Sequence, residues 1–355
     1  MTSLYWRDAK YLLAYLAPLA GFLGLYLGGY WSAGSIYIGF VAIPLLELVL
    51  PQSTANHRPE EEATRSGLRF FDWLLYLNLP ILWGLVIYYF HVLSTRDLST
   101  GETVWMTLNV GLVIGILGIN VAHELGHRSR RYEQLMAQAM LCSALYMHFF
   151  IEHNRGHHKH VATPADPASA VRGQTIYAFW WQSVTGSYRN AWRLERKRLD
   201  KAGQPVQSRA NLMVRFTVIQ LVYLLLVGWI WGPAMVPFAI AIAVVGFLLL
   251  ESVNYIEHYG LRRQPLPSGR YEPVGPQHSW NSDHELGRIF LYELTRHSDH
   301  HYRASRKYQI LRHFDESPQL PTGYPGAILT ALVPPVWFAV MDQRVTPAPA
   351  GASAG

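Results

Sequence analysis

Residues 152–160 read Glu-His-Asn-Arg-Gly-His-His-Lys-His, and this stretch decides how the rest of the chain is interpreted. His153 and His157 are four positions apart, so a helix would place both imidazoles on one face, one turn from each other. His158 follows directly and would point to an adjacent face. Imidazole is the commonest metal ligand, and a pair with this spacing can hold one ion without bending the backbone. The stretch therefore predicts a metal-binding helix.

Two further histidine clusters and one single histidine extend this pattern along the chain. The clusters are His-Glu-Leu-Gly-His, with His123 and His127, and Arg-His-Ser-Asp-His-His, with His297, His300 and His301; the single residue is His258. One such pair alone is usually structural, but together these positions supply nine imidazoles, more than the roughly four ligands of one zinc site. Nitrogen-rich ligation on this scale predicts a dinuclear site for a first-row metal such as iron or copper, rather than calcium or magnesium.

The composition indicates a membrane protein. Half of the 355 residues are hydrophobic and only 15% are charged, well under the roughly 25% of soluble domains. The net charge of +6 does not indicate nucleic-acid binding, because the cytosolic loops of membrane proteins collect Lys and Arg. The single cysteine, Cys142, excludes an internal disulfide and a built-in four-cysteine iron centre.

The uncharged runs predict an all-α integral membrane fold with about six transmembrane helices and a cytosolic, His-rich helical cap that holds a dinuclear metal site. Residues 11–46 carry no charge, but a helix of that length would measure roughly 54 Å, too long for a bilayer core of about 30 Å. The glycines near position 28 therefore divide it into two spans. The predicted spans are residues 11–30, 35–50, 73–93, 103–122, 212–231 and 234–253.

Three other segments receive separate predictions. Residues 134–151 are also uncharged, but a span there would place His127 and His153 on opposite sides of the membrane, so the segment is expected to dip in or pack against the bundle. Residues 324–341 are apolar but broken by prolines, so they are expected to be packed or interfacial. Residues 1–345 are predicted to form one membrane-embedded domain, and residues 346–355 a disordered tail.

The distribution of Arg and Lys predicts the orientation of the spans. Basic residues follow the fourth predicted span at Arg128, Arg130 and Arg131, and cluster again near Arg196. Cytosolic loops are enriched in such residues, so both termini and every histidine cluster are expected on the cytosolic side.

Six stretches carry a resemblance to a known family. They are HELGHR from His123, EHNRGHHKHVATPADPAS from Glu152, NYIEHYGL from Asn254, HSWNSDH from His278, RHSDHH from Arg296 and RHFDESPQLPTGYPGA from Arg312. With them the chain resembles, over nearly its whole length, the alkane 1-monooxygenases, which are integral-membrane, non-haem di-iron hydroxylases of the membrane fatty-acid desaturase and hydroxylase superfamily. NYIEHYG followed by HSWNS separates the alkane and xylene hydroxylases from the desaturases of that superfamily.

The resemblance implies both the chemistry and its site. It implies terminal hydroxylation of medium- and long-chain n-alkanes to primary alcohols in the bacterial inner membrane, with O2 and with electrons from rubredoxin and its reductase. It implies that two irons are bound by His123, His127, His153, His157, His158, His258, His297, His300 and His301. Thr295 stands where the family commonly has Gln, outside the ligand set.

Other polar residues near the clusters are candidates for supporting roles. Ligating imidazoles need their other N–H fixed, and the carboxylates expected to do so are Glu124, Asp166, Glu257 and Asp299. The alternative for each is an ordinary solvated or helix-capping acid. The family's ligand pattern omits His160, which is expected at the surface or behind the ligands. A structural or supporting role is expected for His148, His278 and His284.

Two further predictions concern the channel for the substrate and the docking surface for the electron donor. Gly39 lies within the second predicted span, where a glycine can either leave room for a substrate channel or allow close helix packing. The basic run with Arg189, Arg193, Arg196 and Lys197 is a candidate docking surface for an acidic rubredoxin, or only a consequence of its cytosolic position.

Competing functions remain possible from the residues alone. A membrane fatty-acyl desaturase or hydroxylase and a xylene-type methyl hydroxylase are the nearest alternatives. A zinc metalloprotease would use His123, His127 and one more ligand, with Glu124 as general base, but it would leave the other six clustered histidines unexplained. A metal transporter would place its ligands near the bilayer midplane rather than at the ends of the spans.

Overall fold

Helices are the main secondary structure in the part of the protein that the computed structural model describes, residues 6–345. Within those residues β-structure is confined to isolated bridges, such as the one between Gln52 and His284. The prediction of an all-α fold is therefore confirmed. The predicted disordered tail, residues 346–355, lies outside the described residues.

Six helices are long and apolar enough to cross a membrane, as predicted. In chain order they are called the first to the sixth span, and they comprise Trp6–Leu27, Gly29–Glu47, Arg69–Thr95, Thr100–Gly126, Leu212–Trp231 and Pro233–His258. The fourth and sixth spans continue beyond the lengths predicted from hydropathy. As a result His123 and His258 lie on the last turns of the spans themselves, rather than on separate segments.

The remaining helices lie largely in the connections between spans and after the sixth, and all except the 26-residue helix Ile176–Lys201 are shorter than the spans. They comprise Pro59–Gly67, Arg131–Ser143, Phe149–Glu152, His153–His157, His158–His160, Ile176–Lys201, Pro276–His278, Glu285–Phe290, His297–Tyr302, Tyr324–Ala331, Pro334–Met341 and the single turn Tyr308–Ile310. Residues 324–341 thus form two eight-residue helices, too short to span a bilayer.

The fourth span is the centre of the bundle. Of its most apolar stretch 83% is buried inside the protein, against 22–39% in the other five spans. It packs closely against the sixth span through glycines: a Cβ on Gly115 would lie 2.6 Å from Leu249, and one on Gly246 would lie 2.6 Å from Ile114. Small residues let helix backbones approach, which holds together the two spans that carry His123 and His258.

Residues 134–151 dip into the bundle and return. The helix Arg131–Ser143 packs beside the third span, where Trp83 Nε1 donates a hydrogen bond to the carbonyl of Ala139 (3.2 Å). After a turn, the backbone N–H of Met147 donates to Gln220 Oε1 of the fifth span (3.1 Å). The polar side chain of Gln220 satisfies a backbone group that the turn would otherwise leave unpaired away from water. The chain therefore comes back to the side it left, and the histidines on either side of the segment meet.

Candidate metal centre

The nine predicted ligands converge in the structure as two groups of imidazoles. In each group the candidate donor atoms all lie within 4.8 Å of one another. The five-histidine group consists of His123, His127, His153, His158 and His300, and the four-histidine group consists of His157, His258, His297 and His301. Seven of the nine are buried, and His127 and His158 are half-buried.

The histidines of residues 153–158 are divided between the two groups, which corrects the prediction that His153 and His157 hold the same ion. The helical turn His153–His157 is a π-turn, in which the backbone bonds from i to i+5. Residues five apart, rather than four, then share a face. His153 and His158 accordingly approach to 2.9 Å between their Nε2 atoms, while His157 turns to the four-histidine group.

The third cluster is divided by ordinary α-helical geometry. His297 and His301, four residues apart on the helix His297–Tyr302, face each other with their Nε2 atoms 2.9 Å apart. His300, three residues after His297, lies beside this pair, and its Nε2 atom instead approaches Nε2 of His123 on the fourth span, at 2.8 Å. One short helix therefore supplies ligands to both groups.

The distances between donor atoms fit metal coordination. The recorded Nε2–Nε2 distances between members of one group run from 2.8 Å, for His123 and His300, to 3.3 Å, for His258 and His297. Imidazole nitrogens about 2.1 Å from one ion and roughly at right angles would lie about 3 Å apart. Each group is thus spaced as ligands that share one ion would be.

Burial in the pocket favours neutral imidazoles, the form that binds metal, although at His157 the contact with Asp166 outweighs burial and raises the pKa. Burial lowers the pKa of His153, His300 and His301 well below its ordinary value, and the neighbouring imidazoles lower it further. Unprotonated Nε2 atoms that point at one another repel through their lone pairs unless a cation lies between them. The donor set therefore fits two metal ions.

Two of the four predicted carboxylates contact imidazoles, in different ways. Asp166 Oδ2 lies 3.0 Å from His157 Nδ1 and also accepts a hydrogen bond from the hydroxyl of Ser169, so it holds the outer nitrogen of that imidazole. Glu257 Oε2 lies 3.1 Å from Nε2 of His297, the nitrogen that faces the other imidazoles. Its other oxygen accepts a hydrogen bond from the hydroxyl of Tyr324 (2.7 Å). Glu257 therefore lies on the inner side of the ligands, not behind them.

The other two carboxylates pair with guanidinium groups rather than with the clustered imidazoles. Glu124 forms an ion pair with Arg128 at 2.7 Å, one helical turn away. Asp299 Oδ2 accepts a hydrogen bond from Arg306 Nη1 at 2.6 Å. Buried carboxylates are stable when paired with a cation, and here each fixes a segment next to a ligand cluster rather than the ligand itself.

The remaining histidines of the predicted set lie outside both groups. His148 is buried between the rings of Tyr146 and Tyr188. His278 lies 3.1 Å from Glu272, and His284 lies 3.3 Å from Gln52. His160 is half-buried at the end of the short helix His158–His160.

An apolar cavity ends on the candidate metal centre. Its walls come mainly from the second, fourth and sixth spans and from the helices Glu285–Phe290 and Tyr324–Ala331. It reaches members of both groups, namely His123, His153 and His297. The first two π-turns of the chain, Ile38–Ala42 and Ile114–Ile119, both contribute to this wall, as π-turns often do at functional sites.

Gly39 lies in the cavity wall, opposite the fourth span. A Cβ at this position would lie 3.5 Å from Cδ2 of Leu112, and nothing else would come within 4 Å. Sequence reasoning did not identify two polar residues of the same wall, Asn120 and Tyr324. Asn120 had a detectable signal, because it is a polar residue one helical turn before His123 in an otherwise apolar span. Tyr324 had none apart from its place in a stretch that carries the family resemblance.

The basic run predicted to dock a donor is exposed. Arg189, Arg193, Arg196 and Lys197 all point to solvent from the long helix Ile176–Lys201. That helix is attached to the residue directly before His153, because Asn190 Nδ2 donates a 3.0 Å hydrogen bond to the side chain of Glu152.

Comparison with known proteins agrees with this geometry. The profile of the fatty acid desaturase family matches residues 103–328, which hold all nine ligand candidates. Alkane 1-monooxygenase 2 of Pseudomonas aeruginosa is 40% identical over 352 residues, or 96% of this chain and 93% of that protein. The chain belongs to the alkane 1-monooxygenase family. Within that family it is also 39% identical to alkane 1-monooxygenase of Pseudomonas putida, over 94% of this chain and 84% of that relative.

One relative carries a different name. The hydroxylase component of the xylene/toluene monooxygenase of Pseudomonas putida is 30% identical over 94% of this chain and 88% of its own. The named alkane 1-monooxygenases reported above are more similar than this to the chain. The resemblance of the six quoted stretches to the alkane 1-monooxygenase family is therefore confirmed.

Proposed function

We propose that this protein hydroxylates the terminal methyl group of medium- and long-chain n-alkanes, with two irons held by its nine clustered histidines. The observation that carries the proposal is the apolar cavity whose inner end is formed by His123, His153 and His297. Relatives named alkane 1-monooxygenase over nearly the whole chain support the same substrate class. The balanced reaction is RCH3 + O2 + 2e⁻ + 2H⁺ → RCH2OH + H2O.

The donor set supports iron as the metal. Imidazole nitrogens suit first-row transition metals, whereas calcium and magnesium require oxygen ligands. An alkane has no group to ionise or to attack, so the reaction requires an oxidant made from dioxygen, and two bound ferrous ions would supply the electrons that split O2. The nine Nε2 atoms would hold the ions, and Asp166 would keep the imidazole of His157 in one orientation.

The cavity would orient the substrate. Leu112 lines the wall eleven residues before His123 on the fourth span, a helical distance of about 16 Å. A straight alkane lying along that wall would present only its terminal methyl to the metal centre. The apolar lining excludes water, and a substrate dissolved in the bilayer can enter between helices. These features account for terminal selectivity.

The electrons would come from a separate protein. The single cysteine, Cys142, is buried in the core, so this chain builds no cysteine-ligated iron centre of its own. Rubredoxin, reduced by rubredoxin reductase, is the donor that the family resemblance implies. The exposed basic residues of the helix Ile176–Lys201 offer electrostatic complementarity to an acidic partner.

We assign the protein to the bacterial inner membrane, with the metal centre and both termini on the cytosolic side. Residues 1–345 would act as one membrane-embedded domain. Arg128, Arg130 and Arg131 directly follow the span that ends in His123 and His127, so the basic residues and the metal centre share one side. Cytosolic loops are the ones enriched in such residues.

A product assay tests the proposed function. Protein reconstituted with ferrous iron, rubredoxin, its reductase and NADH is incubated with dodecane under ¹⁸O2, and products are identified by mass spectrometry. We expect 1-dodecanol with one ¹⁸O atom. Parallel assays offer p-xylene and a fatty acyl thioester. Exclusive oxidation of the xylene methyl group, or exclusive formation of an unsaturated acyl chain, would contradict the proposal in favour of the corresponding alternative.

A further inference from the structure

His160 belongs to the stretch that binds metal, but it lies outside both histidine groups. It is two residues beyond His158 and half-buried, at the point where the short helix His158–His160 ends. Its backbone carbonyl accepts a hydrogen bond from the hydroxyl of Thr163 (2.6 Å), which fixes the turn that follows. His160 therefore marks where the buried metal-binding segment reaches the surface.

Cations from three separate parts of the chain surround this imidazole. Lys159, Arg263 and Lys197 lie close enough to His160 for their charges to act on it, and the buried Asp166 is the nearby carboxylate. The segment with Arg263 is fixed in place, because its Nη1 donates a 3.0 Å hydrogen bond to the carbonyl of Lys159. We call Lys159, His160, Lys197 and Arg263 the His160 surface.

The two lysines of the His160 surface are left unpaired by the described part of the protein. Lys159 and Lys197 are exposed, and neither forms an ion pair within residues 6–345. A second group of basic residues lines an open groove near the third histidine cluster, but two of its arginines are paired. Arg306 binds Asp299, and Arg312 binds Glu62, both at 2.6 Å. The His160 surface is thus the better match for an acidic partner.

We propose that the electron donor docks on the His160 surface; this deepens the proposed function and rests on it. Exposed uncompensated cations attract an acidic protein and orient it. The docked donor would lie next to the metal centre, since Lys159 is joined by one peptide bond to His158. The exposed Arg193 and Arg196 extend the positive charge along the neighbouring helix.

The electron balance sets how often the surface is used. Rubredoxin has a single iron, which is oxidised from ferrous to ferric as it gives one electron, and no bond forms between the two proteins. Hydroxylation takes two electrons, so the donor must dock twice in each turnover. Docking must therefore be reversible, as expected for contacts between exposed charges that salt screens.

Charge reversal tests the surface by kinetics. Lys159→Glu and Lys197→Glu are compared with Arg131→Glu, which reverses an exposed charge at the start of the helix Arg131–Ser143, away from the His160 surface. At low ionic strength each of the first two should raise the apparent KM for reduced rubredoxin roughly tenfold, with a weaker salt dependence than the wild type. Arg131→Glu should change neither quantity. An unchanged KM in both lysine variants, or an equal rise in Arg131→Glu, would overturn the proposal.

Cross-linking provides a readout independent of activity. A carbodiimide joins lysine amines to carboxylates of bound rubredoxin, and peptide mass spectrometry locates the linked lysines, expected to be Lys159 and Lys197. Wild-type protein that turns over with rubredoxin but links only elsewhere, for example at Lys307, would overturn this surface and leave the proposed function intact. If the wild-type protein hydroxylated alkane with dithionite but never with rubredoxin, rubredoxin would be ruled out as the electron donor. The His160 surface would then be ruled out as its docking site.

Discussion

His158 and His300 face each other with their Nε2 atoms 3.1 Å apart, although 142 positions separate them in the chain. The first sits directly after a π-turn and the second on a helix after the last span. Neither cluster alone builds the five-histidine group, which also needs His123 and His127 from the fourth span. Metal binding should therefore depend on the folded bundle as a whole, since the site joins elements that are remote in sequence.

Removing the carboxylate behind His157 should weaken metal binding without disturbing the fold broadly. Asp166→Asn keeps the shape of the side chain but removes the charge that holds His157 Nδ1. Loss of such a partner typically costs 10- to 100-fold in metal affinity or activity, and we expect iron to be lost to a chelator correspondingly sooner. Asp200→Asn, an exposed position, is the control. Equal iron retention in both variants would show that Asp166 does not support the ligand.

Filling the cavity at Gly39 should shorten the range of substrates. Gly39→Trp inserts a ring that buries roughly 150–250 Å² against Leu112, across the path of a long alkane. We expect activity on short alkanes to persist and activity on long ones to be lost, measured as product over a series of chain lengths. The control is Gly84→Trp in the third span, outside the cavity wall. If the dependence of activity on alkane chain length were the same as in the wild type, Gly39 would not line the substrate path.

The topology predicts which loops a membrane-impermeant thiol reagent can reach. Cysteines introduced at Ser129 and Gly203 should react only when the reagent is admitted to the cytosol, and one at Ser99 should react from outside, because these loops lie at opposite ends of the spans. The native Cys142 is buried and should contribute little background. If the cysteines at Ser129 and Gly203 were labelled from opposite sides of the membrane, residues 134–151 would have to cross it. They could then not dip into the bundle and return to the same side.

The sequence predicted the helices and the nine histidines that converge, but not how these histidines divide into two groups. Uncharged runs identify spans because a bilayer tolerates few charges, and clustered histidines stand out in a chain with one cysteine. Spacing alone placed His153 with His157, since it assumes α-helical geometry. The π-turn that separates them depends on tertiary packing around the segment, which no local pattern encodes.

The carboxylates show a second limit of sequence reasoning. Glu124 directly follows His123, and Glu257 directly precedes His258. This proximity in sequence gave the two carboxylates the same expected role. In the structure Glu124 turns to Arg128, while Glu257 reaches the inner nitrogen of His297 from another helix. The difference depends on which cation or imidazole the fold places opposite each carboxylate. Apart from Gly39, the walls of the apolar cavity were likewise beyond prediction, because they come from many elements that are separate in the sequence.

Metal analysis of the purified protein tests the central claim most directly. Inductively coupled plasma mass spectrometry of the wild type should find about two irons per chain, as expected for two nitrogen-rich groups of donors. His300→Ala, from the five-histidine group, and His157→Ala, from the four-histidine group, should each lose iron and alkane hydroxylation together. One zinc per chain in the wild type, or full iron content and full activity in His300→Ala, would contradict the account.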